Sequence, residues 1–186
     1  MSNLEAALGL IDAANAADPT QEDGRPAALL YGERMSAEVA RLFPQASDVL
    51  QIAARGQHVE RWLLKRAEFP EGKEGYHAWR REQGRRHGAR VAGIMAQAGY
   101  DVADQARVGV LLRKEGIKRD ADVQALEDII CFVFIRWYFA DFAAKRGAED
   151  LQGIVDKTAR KMSEQARARV LAEFDLLPDL AAAFAV

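Results

Sequence analysis

Residues Asp120 to Phe134 read DADVQALEDIICFVF, and this stretch restricts the fold more strongly than any other. Asp120 has the side chain of a helix N-cap, and apolar residues dominate the second half. A helix that is apolar nearly all round belongs in an interior, so other elements must cover it. The longest apolar run, Ile129 to Phe139, is broken by Arg136 and is too short to span a bilayer. Yet Glu127 and Asp128 stand at its leading edge. An ionised carboxylate taken out of water is costly unless a cation, a metal or several donors meet it. Gln124, Ala125, Cys131 and Phe132 flank Asp128 at helical spacing, so its side is the inward one. Glu127 points about a hundred degrees away and is expected to be exposed or to support the site through an arginine.

The rest of the chain is also helical in period, with no convincing alternating strand. Ser2 and Glu5 form a capping box ahead of Leu4, Ala7, Leu8 and Ile11. DPTQEDGRP is a loop. A helix from about Ala27 to Phe43 is stopped by Pro44. Ser47 caps the next, which is expected to run through His58 to Trp62. AEFPEGKEGYHAW reads as a turn or insertion that leaves His77 in a loop-like setting. A long helix follows from about Tyr76 to Ala98, and another from Asp101 to about Glu115. The Asp120 helix is expected to continue to about Lys145. Two or three short helices complete the tail, one capped by Ser163. The expected fold is all-α: a single helical domain made of an N-terminal helix and loop (1–26), a helical core (27–145) and a helical tail (146–186).

Composition narrows the setting. The 186 residues are 49% hydrophobic and 29% charged, with a formal charge of −2, which suits one globular core and selects no partner by charge alone. The single cysteine, Cys131, rules out a disulfide within the chain and fits a reducing compartment. The N-terminus lacks the basic and apolar regions of a secretory signal. The expectation is a soluble cytoplasmic protein without a membrane segment.

Charge is unevenly spread. From Arg55 to Arg90 there are ten Lys and Arg against five Asp and Glu, an asymmetry suited to an anionic or phosphate-bearing ligand. His58 (QHVERW) and His87 (RRHGAR) both lie in this region. On a helix, Arg55, Arg61 and Trp62 would share the His58 face. Each histidine has two readings, a packed core residue or a metal ligand and proton carrier. Gly-rich phosphate loops, Cys/His zinc spacings and nucleophile elbows are missing. The KMS tripeptide at 161–163 is shared with a nucleotide-binding loop of class I aminoacyl-tRNA synthetases, but no β/α alternation accompanies it.

The set QHVERW, FPEGKEGYHAWRREQGRRH, LLRKEGIKRDADVQALEDIICFVF, FADFAAK and KTARKMS resembles the uncharacterised family called domain of unknown function 4202. The resemblance runs from about Ala27 into the tail. A more distant similarity is to HD-domain phosphohydrolases: HVERW is similar to their early histidine helix, RRHGARVAGIMAQAGY to a later one and DVQALEDIICFV to the closing aspartate helix. That resemblance implies His58, His87 and Asp128 as ligands of one divalent ion (Mn, Fe, Ni or Mg), with Glu127 in support. The family's His-Asp doublet is absent, and PEGKEGYHAW stands in its place. Lys114 occupies the approximate position of a further histidine, so Lys114 or an arginine is the alternative counter-charge to Asp128.

Three function classes follow. One is a metal-dependent phosphohydrolase acting on a nucleotide or small phosphoester, with Arg55, Arg61, Arg86 and Lys114 neutralising phosphate. The second keeps the phosphate-binding pocket without catalysis. The third uses the basic helix Trp79 to Arg90 as an interaction module for RNA or an acidic protein.

Overall fold

A computed structural model describes residues 2–185, and the fold is all-α apart from one minimal hairpin. The chain divides into two compact units, Met1–Gly116 and Ile117–Val186. The division falls inside the stretch 27–145 that the sequence suggested as one core.

In the first unit, α1 (Asn3–Asn15) begins with the expected capping box between Ser2 and Glu5. The DPTQEDGRP loop contains a two-stranded antiparallel hairpin, β1 (Gln21–Glu22) and β2 (Arg25–Pro26). α2 (Ala27–Leu42) starts after Pro26, which offers no side-chain cap. Buried Asp18 takes over that role, accepting from Ala28 N at 2.9 Å while its other oxygen accepts from Thr20 N. α3 (Asp48–Arg55) is capped by Ser47 and ends at Gly56. A turn and two short 3-10 segments, Arg61–Leu63 and Arg66–Glu68, lead to α4 (Gly72–Gln97). α5 (Val102–Arg113) is capped by Asp101, which accepts from Asp104 N, and closes at Lys114 in the left-handed region.

α4 starts four residues earlier than its periodicity suggested, which places His77 within a helix. Gly72 and Gly75 disguise that start, because glycine is a poor helix former. Gly75 is there for a steric reason: a Cβ would fall 1.8 Å from the Pro70 carbonyl oxygen. The same logic joins α4 to α5, which pack along one another. A Cβ on Gly88 would sit 3.3 Å from Gly109 Cα, so two backbones meet where side chains would hold them apart. Ala7, Ile11, Met35, Ile52, Val91, Ile94, Met95, Val108 and Leu111 are all at most 1% exposed and form this unit's core.

In the second unit, α6 (Ala121–Val133) carries the expected Asp120 cap, which accepts from Asp122 N and Val123 N. Helical winding continues through a π-helical turn, Phe134–Tyr138, into α7 (Phe139–Ala143). The tail forms α8 (Ala148–Lys161), α9 (Glu164–Glu173) and α10 (Pro178–Ala182), with Ser163 capping α9 by accepting from Ala166 N at 3.1 Å. Leu126, Ile129, Phe132, Val133, Met162 and Val170 are fully buried. Among the described residues no helix is long and apolar enough to cross a membrane.

Candidate functional site

The two histidines meet in the first unit, but His58 reaches its place differently from the expectation. α3 stops at Gly56, and His58 lies in the turn that follows. Its neighbours are therefore set by the turn and not by helical spacing. Glu60 adopts a left-handed φ of 50° within that turn, a conformation that costs a non-glycine residue free energy unless the surroundings hold it. They do. Asn15, 1% exposed, accepts from Glu60 N at 3.0 Å, and Arg90 grips the Glu60 carboxylate with two bonds of 2.9 and 3.0 Å. Further along, Gln83 donates to the carbonyls of Arg61 and Leu64 at 3.0 and 3.2 Å, and Trp79 Nε1 donates to Leu64 at 3.1 Å. One face of α4 thus pins the whole segment from Glu60 to Leu64.

So held, the His58 ring stacks on Tyr31 of α2, with centroids 3.8 Å apart and planes 16° from parallel. The His87 ring, projecting from α4, lies 6.4 Å from His58. His87 is 4% exposed. Its Nε2 is buried without a hydrogen-bond partner.

Electrostatics keep both rings neutral. Burial, then the charge of Arg61, push His87 down to about 3. His58 falls well below its ordinary range through burial, followed by Arg61, His87, Lys114 and Arg80. The Arg61 guanidinium lies 4.7 Å from the Trp79 ring centroid. Burial lowers its own pKa, and among the described residues no carboxylate pairs with it. Arg80 adds to that lowering, and Tyr31 and Tyr76 oppose it; a partly buried guanidinium without a carboxylate is an electrostatic cost that an anion would relieve.

The other expected phosphate contacts are already engaged. Arg55 holds Asp12 through a bidentate pair of 2.6 and 2.7 Å and reaches Ser36 Oγ at 3.3 Å. Arg86 pairs with Glu82 at 3.0 Å, as does Arg85 at 2.7 Å. These residues line a shallow groove of about 550 Å3 with Leu64, Phe69 and Arg81. The basic stripe on α4 is therefore weaker as a field than its arginine count suggests: Arg85, Arg86 and Arg90 each face a glutamate. Lys114 contributes charge to the His58 environment from the end of α5.

Asp128 belongs to the second unit, where neutral donors meet it. Ser163 gives it both a backbone N–H at 2.8 Å and its hydroxyl at 2.7 Å, and Gln124 Nε2 donates at 3.0 Å. Burial raises its pKa, against which these bonds and the charge of Lys118 act in the opposite direction. Gln124 also donates to the Lys161 carbonyl at 2.9 Å, and Lys118 to that of Met162 at 2.7 Å. The KMS tripeptide is thus the turn that Asp128 fastens to α6. Glu127 is 3% exposed, not solvated as one expectation had it, and pairs with Lys161 at 3.7 Å. Among the described residues no group of three or more His, Cys, Asp or Glu side chains is placed to hold a metal ion.

Sequence reasoning missed Tyr31, Gln57 and Gln83, and named Trp79 only as the start of the basic helix. Trp79 and Gln83 had a legible signal, since they and His87 recur every four residues along one face of α4. Tyr31 comes from another helix, and nothing local marks it. No curated protein and no solved structure matches the chain, so the HD-domain resemblance gains no support from them. A family model does match, over residues 5–183, and the chain belongs to the family it describes, Domain of unknown function (DUF4202).

Proposed function

We propose that the first unit binds a small phosphorylated ligand, with Arg61 and Lys114 meeting the phosphate beside the His58–His87 pair. The observation that carries this reading is Arg61. Its guanidinium lies over Trp79, partly buried and without a carboxylate partner among the described residues. A planar guanidinium offers paired N–H groups that match phosphate oxygens. The charges of Lys114 and Arg80 reach the same place. These three positive charges favour an anion there over a cation.

This is the binding form of the phosphate reading. Thermal unfolding of the full chain with inorganic phosphate, ribose 5-phosphate and nucleoside monophosphates tests it, because a ligand that binds only the folded state raises the melting temperature. The expected result is a concentration-dependent rise for at least one of them that Arg61→Gln removes. No shift at millimolar concentration for any of them would overturn it.

A metal-dependent phosphohydrolase is the second reading. It is favoured by one feature of His87: its buried Nε2 has no hydrogen-bond partner, which leaves that nitrogen uncommitted beside the His58 ring. Against it stand Arg61, Lys114 and Arg80, whose charges reach His58 and would repel a divalent cation. Metal content measured on chelator-free protein after incubation with manganese, iron or nickel separates the two. One ion per chain, lost in His87→Gln, would favour hydrolysis.

A further inference from the structure

We propose that the groove between α4 and the Leu64–Phe69 segment docks an acidic peptide segment of a partner protein, one in which carboxylates flank an apolar side chain.

The groove, of about 550 Å3, has an apolar part and a charged part. Its apolar lining is Leu64, which is buried, with Phe69 and Ala78, which are half-buried. Its charged lining sets Arg81, Arg85 and Arg86 against Glu68 and Glu82. Ala78, Glu82 and Arg86 recur every four residues on α4, with Arg81 and Arg85 in the row beside them, so one stripe of the helix forms that wall.

The positive side is in excess. One carboxylate, Glu82, serves two guanidinium groups, taking Arg85 at 2.7 Å and Arg86 at 3.0 Å. These two side chains are still 64% and 47% exposed, so their remaining N–H groups face solvent. Glu68 is turned to the Lys65 backbone, accepting from its N–H at 2.8 Å. Arg81 has no hydrogen bond or ion pair among the described residues. Arg66 adds a further charge at the Phe69 end, where it donates to the Phe69 and Gly72 carbonyls at 2.9 and 3.3 Å. Free guanidinium forks are the natural partners of carboxylates.

Shape and composition then select the partner. Ligand pockets bury most of a small molecule, which a shallow groove does not do. A peptide lies along such a groove, with an apolar anchor on the floor and its charges at the rim. A single-stranded nucleic acid needs exposed aromatic faces for its bases, and the one ring among the described lining residues, Phe69, is half-buried. No lining residue belongs to the phosphate site at Arg61 and Lys114, so the two sites stand or fall separately.

Fluorescence anisotropy of the full chain at low ionic strength tests the surface. The probes are a labelled peptide with glutamates flanking a Leu–Phe pair, the same peptide with serines replacing that pair, and an oligouridylate of matching charge. Saturable binding of the first is expected, at least tenfold tighter than either of the others. Arg81→Glu is expected to weaken it at least tenfold with unchanged circular dichroism, since Arg81 is exposed. Arg119→Glu, the same charge change at an exposed arginine of the second unit, is expected to leave it nearly unaltered. No binding of the Leu–Phe peptide at millimolar concentration would overturn the proposal. So would equal losses in the two variants, which would mark attraction by bulk charge. Equally tight binding of the serine peptide would remove the apolar anchor, and tighter binding of the oligouridylate, lost in Arg81→Glu, would make the groove a nucleic-acid surface; either result would also overturn it.

Discussion

The His58–His87 cluster and the Asp128 turn are both buried polar sites, and they handle burial in opposite ways. Asp128 is surrounded by donors: two from Ser163, one from Gln124, and a lysine charge beyond. The histidine cluster feels the charges of Arg61, Lys114 and Arg80 and retains buried polar atoms without hydrogen-bond partners. The first arrangement explains itself as structure, because it caps α9 and fastens the turn before it to α6. The second does not, since a fold gains nothing from collecting positive charge around two neutral rings. Buried polarity is therefore informative only after its partners are counted. Gln124 shows the limit of that count: its amide donates twice, to Asp128 and to Lys161, and its Oε1 is left over. A carbonyl oxygen stranded by a doubly used amide is a lesser matter than an unmatched guanidinium.

The contrast breaks most visibly at Asp128. Asp128→Ala strips an acceptor from three donors and is expected to cost about 3 kcal/mol in urea unfolding. Asp128→Asn keeps an acceptor for the Ser163 N–H and removes the cost of a buried charge, so it is expected to lose less than about 1 kcal/mol. Equal losses for the two variants would show that the charge itself matters there.

The two sites also predict opposite pH slopes. The histidines have folded pKa values below the ordinary 6.5, with His87 near 3, so the unfolded chain binds more protons between those limits. Their contribution is intact above pH 6.5 and falls as pH drops, by about 2 kcal/mol at pH 5 for His87. Asp128 is raised from 3.8, so the folded state holds its proton longer and stability declines as pH rises through that raised value. Urea titrations from pH 4 to 8 read both. His87→Phe is expected to reduce the acid-side loss, and Asp128→Asn to leave it in place. The smallest effect is at Lys161, half exposed beside buried Glu127. Lys161→Met is expected to cost under about 1 kcal/mol, because the pair is long and its cation solvated.

Much of the fold was legible in the sequence. Ser2, Ser47, Asp101, Asp120 and Ser163 all cap the helices their positions suggested, since capping is a local interaction. The errors came from longer range. Gly56 ended α3 before His58, and the left-handed Glu60 is sustained by Asn15, 45 residues away. Arg55 looked available for phosphate because its partner, Asp12, is 43 residues distant. Asp128 was expected to meet a metal or a basic side chain, and the serine that holds it lies 35 residues on. The sequence named the two histidines and Arg61, and the fold supplied Tyr31, Gln57 and Trp79 around them.

The central claim is that Arg61 lacks a carboxylate among the described residues because it serves a ligand's phosphate. Calorimetric titration of ribose 5-phosphate into wild-type and Arg61→Gln protein at pH 8 tests it most directly. The expected result is saturable binding to the wild type, weakened at least tenfold in a variant of unchanged circular dichroism. Binding of equal affinity to both proteins, or no heat from either at millimolar ligand, would contradict it.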